Sequence, residues 1–170
     1  MKKLAILFLF GFILFSCGEE NGDDYTRNEM TYNLYQSSDF DYTGTILVKE
    51  LIGGDLEITI ELSGNKGDSE YFFPAHLHFG TYDNPDSPIA YMLNPVDIQT
   101  LKSVTVLGQL STGTKLTFDD LRDFDGHVKV HLADSGPEYQ VILSAGNIGI
   151  NDNSPQAFKK ENMTLCSPYY

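Results

Sequence analysis

The chain has 170 residues, with 24 acidic side chains against 11 basic ones and a formal net charge of −13. That imbalance argues against nucleic acid as a partner and disfavours anionic substrates, unless a local cationic site overrides the overall field. The length provides for one domain with its own core and not for two.

Lys2 and Lys3 precede an apolar run from Leu4 to Phe15, the charged n-region and short h-region of a secretory signal. The run is too short for a comfortable membrane span. It ends in Leu14-Phe15-Ser16-Cys17, which resembles the lipobox of bacterial lipoproteins. The resemblance implies cleavage before Cys17, lipidation of its thiol, and an envelope or outer-membrane location with the membrane as partner through the anchor. Residues 1–16 are therefore expected to be the signal and 17–28 an acidic tether, since Gly18 to Asp24 hold four carboxylates and little apolar surface. Removing the two lysines with the signal leaves 9 basic residues against 24 acidic, a net charge of about −15. With Cys17 lipidated, Cys166 stands alone and no internal disulfide forms.

Residues 29–150 are expected to fold. Leu56, Ile58, Ile60 and Leu62 alternate with Glu57, Thr59 and Glu61, the period of a strand with one buried face. Thr45 to Glu50 forms its hairpin partner across Ile52-Gly53-Gly54-Asp55. Further strands are expected near Met30–Gln36, Phe72–Phe79, Ile89–Leu93, Val104–Leu110, His127–Leu132 and Tyr139–Ala145. About eight short strands separated by turns describe an all-β sandwich or barrel. A single helical turn is expected within Thr117–Phe124, and the tail at 151–170 is expected to be extended or loosely packed. Asp83, Asn84 and Asp86 lack the spacing of an EF-hand loop and are expected to form a solvated turn. No nucleophile–histidine arrangement is visible.

The four histidines concentrate the chemistry. Alternation over Ala75-His76-Leu77-His78-Phe79 points Ala75, Leu77 and Phe79 to the core and both imidazoles outward. Their Cα atoms lie about 6–7 Å apart, close enough for one metal ion. His127 and His131 also point outward, but four residues separate them by about 13 Å along a strand, so one of the two must be a bystander.

These strands resemble a family. Gly44-Thr45-Ile46, the Leu56–Gly64 strand, Ala75-His76-Leu77-His78 and Val128-Lys129-Val130-His131 look like a chordin-type (CHRD) domain over roughly residues 44–150. More distantly they are similar to copper-zinc superoxide dismutase, whose Greek-key fold the resemblance implies, ending here in Gly146-Asn147-Ile148-Gly149-Ile150. The resemblance places His76, His78 and His131 on copper-ligand positions. Asn94-Pro95 then puts Met92 where the dismutases carry a metal-bridging histidine. The zinc ligands have no counterpart, and Ile142 stands near the position of the substrate-guiding arginine.

The expectation is thus a Greek-key β-sandwich or barrel on a lipid anchor, acting as a binding or structural module whose protein or small-molecule partner is not specified by the sequence. The alternatives are a redox or copper-handling protein and a carbohydrate- or partner-binding lipoprotein. The metal site would be a surface copper site of His76, His78 and His131 with Met92 as a soft fourth ligand, and superoxide turnover is not expected without the guiding cation.

Overall fold

A computed structural model describes residues 24–165. Its strands are β1 (Tyr25–Gln36), β2 (Thr43–Leu51), β3 (Leu56–Ser63), β4 (Phe72–Phe79), β5 (Ile89–Asp97), β6 (Lys102–Val106), β7 (Asp125–His131) and β8 (Ile142–Gly149). All pairings are antiparallel and close a barrel in the order β1-β2-β3-β6-β5-β4-β7-β8. In that order β3 lies beside β6, and β7 beside β4, so the β4-β5-β6 meander takes part in two Greek keys.

The barrel closes around the apolar half of each alternating strand. Ile46 and Val48, Leu56, Ile58 and Ile60, Ala75 and Leu77, Val96, and Val128 and Val130 are all buried in one core. A barrel of eight strands is just wide enough for such side chains to fill. Each fully buried aliphatic side chain stabilises the fold by about 1.5–3 kcal/mol. In the β2–β3 turn Gly54 takes a positive φ of 81°, and Leu51 N–H donates to Asp55 O at 2.8 Å. The expected helical turn is α1 (Phe118–Leu121), with a capping box between Thr117 and Asp120 and with Phe118 and Leu121 buried.

Two expectations need correction. Strand β1 opens at Tyr25, inside the segment expected to be tether, and Tyr25 pairs with Leu51. The tail is not loosely packed over 151–165, because it lies against the outer face of the barrel. Phe158 packs between Tyr35 and Tyr82, stacked on the first and tilted against the second, with ring centroids 4.8 Å from each. Asn153 Nδ2 donates to Asn33 O at 3.1 Å, and Lys159 N–H donates to the Tyr82 hydroxyl at 2.7 Å. Cys17, the signal and Cys166 lie outside the described residues. No helix among the described residues is long and apolar enough to cross a membrane.

Candidate metal centre

Strand register assembles the site. Directly opposed residues on antiparallel strands share a face. His76 opposes Lys129 and His78 opposes His127 across β4 and β7. His127 in turn opposes Asn147 on β8. His131, two residues beyond Lys129, reaches His76 on the diagonal. The outward row is therefore His76, His78, His127, Lys129, His131 and Asn147.

This row faces away from the barrel interior as expected, but it is not a wet surface, and the surface site is a buried one. All four histidines and Lys129 are between 0% and 3% exposed. Three segments cover them. The loop after β4 presents Tyr82, whose backbone N–H donates to Asn147 Oδ1 at 3.2 Å. The turn at Pro137–Gln140 before β8 lays Tyr139 flat on His131, with centroids 4.7 Å apart and planes 5° apart. The tail completes the cover, with Lys129 Nζ donating to Thr164 O at 2.7 Å and Asn147 Nδ2 donating to Asp152 O at 3.0 Å.

Among the described residues, His76, His78 and His131 are the group that could hold a metal ion, each offering one ligand atom and all three atoms lying within 4.8 Å of one another. The His76 ring centroid is 4.9 Å from that of His131 and 5.9 Å from that of His78. Small ring rotations bring such atoms onto one ion at metal–nitrogen distances of about 2.0 Å. His127 stands outside the group. It stacks on His78 with centroids 4.8 Å apart and planes 8° apart.

Backbone carbonyls fix the tautomers, since a carbonyl only accepts. His78 Nδ1–H donates to Ser87 O at 3.1 Å, His131 Nδ1–H to Tyr139 O at 2.8 Å and His127 Nδ1–H to Gly80 O at 2.7 Å. The lone pairs of those rings consequently sit on Nε2. A backbone carbonyl on the far nitrogen is the usual support of a metal-ligating histidine. Two ring nitrogens are buried with no hydrogen-bond partner, Nε2 of His127 and Nδ1 of His76, the latter within the group that could hold an ion. An orphaned buried polar atom costs about 1–3 kcal/mol, and an ion held there would remove that cost.

The electrostatics keep the rings neutral. Burial, reinforced by His131 and His78, pushes His76 down to about 3 from the usual 6.5. Burial and the neighbouring His127 push His78 to about 3, against the opposing Ser87 hydrogen bond. His127 falls to about 3 and His131 to about 4, in both cases through burial first, with the Lys129 ammonium adding to the effect. Neutral imidazole is the form that ligates metal, so no proton need leave at neutral pH.

Met92 opposes His76 across β4 and β5 and therefore shares its face. Unlike the histidines it is 62% exposed. Met92, His76, Tyr139, Pro74, Ile89 and Asp134 line a groove of about 630 Å³ that leads from solvent to the edge of His76. The carboxylates of the 83–86 turn take no part in the group, and Asp86 N–H caps Asn84 Oδ1 at 3.1 Å. Sequence reasoning missed the cover and the roles of Lys129 and Tyr139. One signal for the cover was an aromatic, Phe158, in a largely polar stretch of the tail.

The chain matches no known family, no curated protein and no solved structure.

Proposed function

We propose that this protein is a lipid-anchored module of the cell envelope whose barrel binds a copper ion at His76, His78 and His131. One observation carries the reading: three buried, neutral imidazoles converge within 4.8 Å while the Nδ1 of one of them has no other partner. An ion held by the group would satisfy the orphaned nitrogen of His76, whereas the unpartnered Nε2 of His127 lies outside the group. Imidazole donors without a carboxylate suit copper or zinc and not calcium or magnesium. The resemblance of the Ala75–His78 and Val128–His131 strands to chordin-type and dismutase-like domains supports copper, and the signal-like segment ending at Cys17 supports the anchor. Copper held here would supply a one-electron redox couple. The chain's own residues bind the ion, orient the rings through Ser87 and Tyr139, and restrict water by means of the cover.

The reading is binding and not superoxide turnover. Ile142, near the position where the resemblance would place a guiding cation, is a buried aliphatic residue. A chain with this much negative charge steers anions poorly without one.

Competition titration of the full-length chain in detergent tests the proposal. Stoichiometric copper uptake at submicromolar free ion, lost when His76→Ala and His78→Ala are combined, is the expected result. Equally weak uptake by both chains would reject the centre and leave an anchored module with some other ligand.

A further inference from the structure

The three histidines are approached from one side by a groove, and the residue that faces their first member across the strand ladder is a methionine. Met92 and His76 are register partners on β5 and β4, which places their Cβ atoms roughly 4.5–5.5 Å apart on the same face. A methionine adds three rotatable bonds beyond Cβ and a polarizable sulfur, so its thioether sweeps a wide volume at little cost. Its cross-strand partner His76 is 3% exposed, whereas Met92 is 62% exposed and stands in the wall of the groove that reaches His76. From that wall the flexible side chain can turn either to solvent or along the groove toward His76.

Building on the histidine centre proposed above, we propose that Met92 is a ligand selective for cuprous copper, turning through the groove to complete a three-nitrogen, one-sulfur site for Cu(I). The chemistry supplies the selectivity. Thioether sulfur is a soft donor that stabilises Cu(I), whereas Cu(II) favours nitrogen and oxygen donors in tetragonal geometry. The group itself contains no carboxylate that would favour the divalent ion. The rings of His78 and His131 are held by Ser87 O and Tyr139 O, so a redox-dependent change of coordination falls on the side chain that is exposed and unbranched. The groove is then the route by which the ion reaches the site and the space through which the thioether moves.

The test compares both oxidation states in the full-length chain and in Met92→Leu, a substitution of nearly equal volume at an exposed position. Competition with a Cu(I) chelator under reducing conditions should show Met92→Leu weakened at least tenfold, while competition for Cu(II) should change less than about twofold. X-ray absorption of the Cu(I)-loaded protein should show a sulfur neighbour that Met92→Leu lacks. Unchanged Cu(I) affinity, a Cu(I) spectrum without sulfur, or equal weakening for both ions would overturn the assignment of Met92 while leaving the histidine centre standing. A native chain that binds neither ion would overturn the centre and this inference with it.

Discussion

Lys129 Nζ lies 2.7 Å from the carbonyl oxygen of Thr164, so a buried ammonium on β7 ties the tail to the barrel directly beside the histidines. The Thr164 hydroxyl in turn lies 2.9 Å from Tyr82 O and 3.0 Å from Asn84 O. Two of the three covering segments thus meet at one residue, and the site is enclosed by polar contacts between them.

Lys129→Met keeps most of the side-chain volume and removes the donor. A hydrogen bond from a charged group contributes about 1.5–3 kcal/mol, so opening of residues 151–165 should become roughly ten- to a hundredfold more frequent. Amide hydrogen exchange of the tail reads this directly. Exchange that accelerates equally in the β2–β3 hairpin would show a global loss of stability in place of a loosened cover.

Acid should destabilise the metal-free protein through the same cluster. His76, His78 and His127 are pushed down to about 3 and His131 to about 4, chiefly by burial. The unfolded chain takes up these protons below about pH 6.5, but the folded protein does not until pH reaches 3–4. The stability is therefore present in full above about pH 6.5 and is lost as pH falls toward those lower values. Each histidine contributes up to about 1.4 kcal/mol per pH unit in that window. Urea unfolding should show a midpoint that drops steeply between about pH 7 and pH 5. A flat midpoint over that range would mean that the imidazoles are not buried as neutral rings.

The barrel was legible in the sequence where one face of a strand is wet. Strand β4 runs over the expected Phe72–Phe79, and β3 differs from expectation by a single residue, because alternation leaves little freedom of register. The ends of β1 and β6 were not legible. Tyr25 to Glu29 are polar and pair only at the rim, while Leu107 and Leu110 are apolar and buried but lie beyond the ladder. Tyr139 reads as the start of β8, yet Pro137 closes a short turn that brings its ring onto His131. The alternation of strands β4 and β7 put the four histidines on one side, and three of them converge in the structure. Their burial was not legible, because the segments that cover them carry no periodicity and act through single contacts such as Phe158 on Tyr82.

The barrel seam between β1 and β8 depends on Gly146. A Cβ at that position would meet the carbonyl oxygen of Asn33 on β1, next to the register pairs Tyr35–Ala145 and Gln36–Ser144 that close the barrel. Backbone has little room to yield, so Gly146→Ala should cost about 1–3 kcal/mol, toward the upper end. Gly53→Ala, where a Cβ meets nothing within 4 Å, is the control and should leave the thermal midpoint nearly unchanged. Equal midpoints for the two variants would remove this account of the seam.

Copper should stabilise the fold by mass action. At free Cu(I) a hundredfold above Kd the gain is about 2.7 kcal/mol, which for a chain of this size raises Tm by several degrees. The His76→Ala, His78→Ala chain should show no rise. A rise of equal size in that variant would locate binding elsewhere.

The most direct measurement is a long-range proton–nitrogen NMR spectrum of the histidine side chains, recorded on the full-length chain before and after one equivalent of Cu(I), which is diamagnetic. The account predicts that Nε2 of His78 and of His131 and Nδ1 of His76 shift on loading, while both nitrogens of His127 keep a neutral Nδ1–H pattern. Four unchanged rings, or a shift centred on His127, would contradict it.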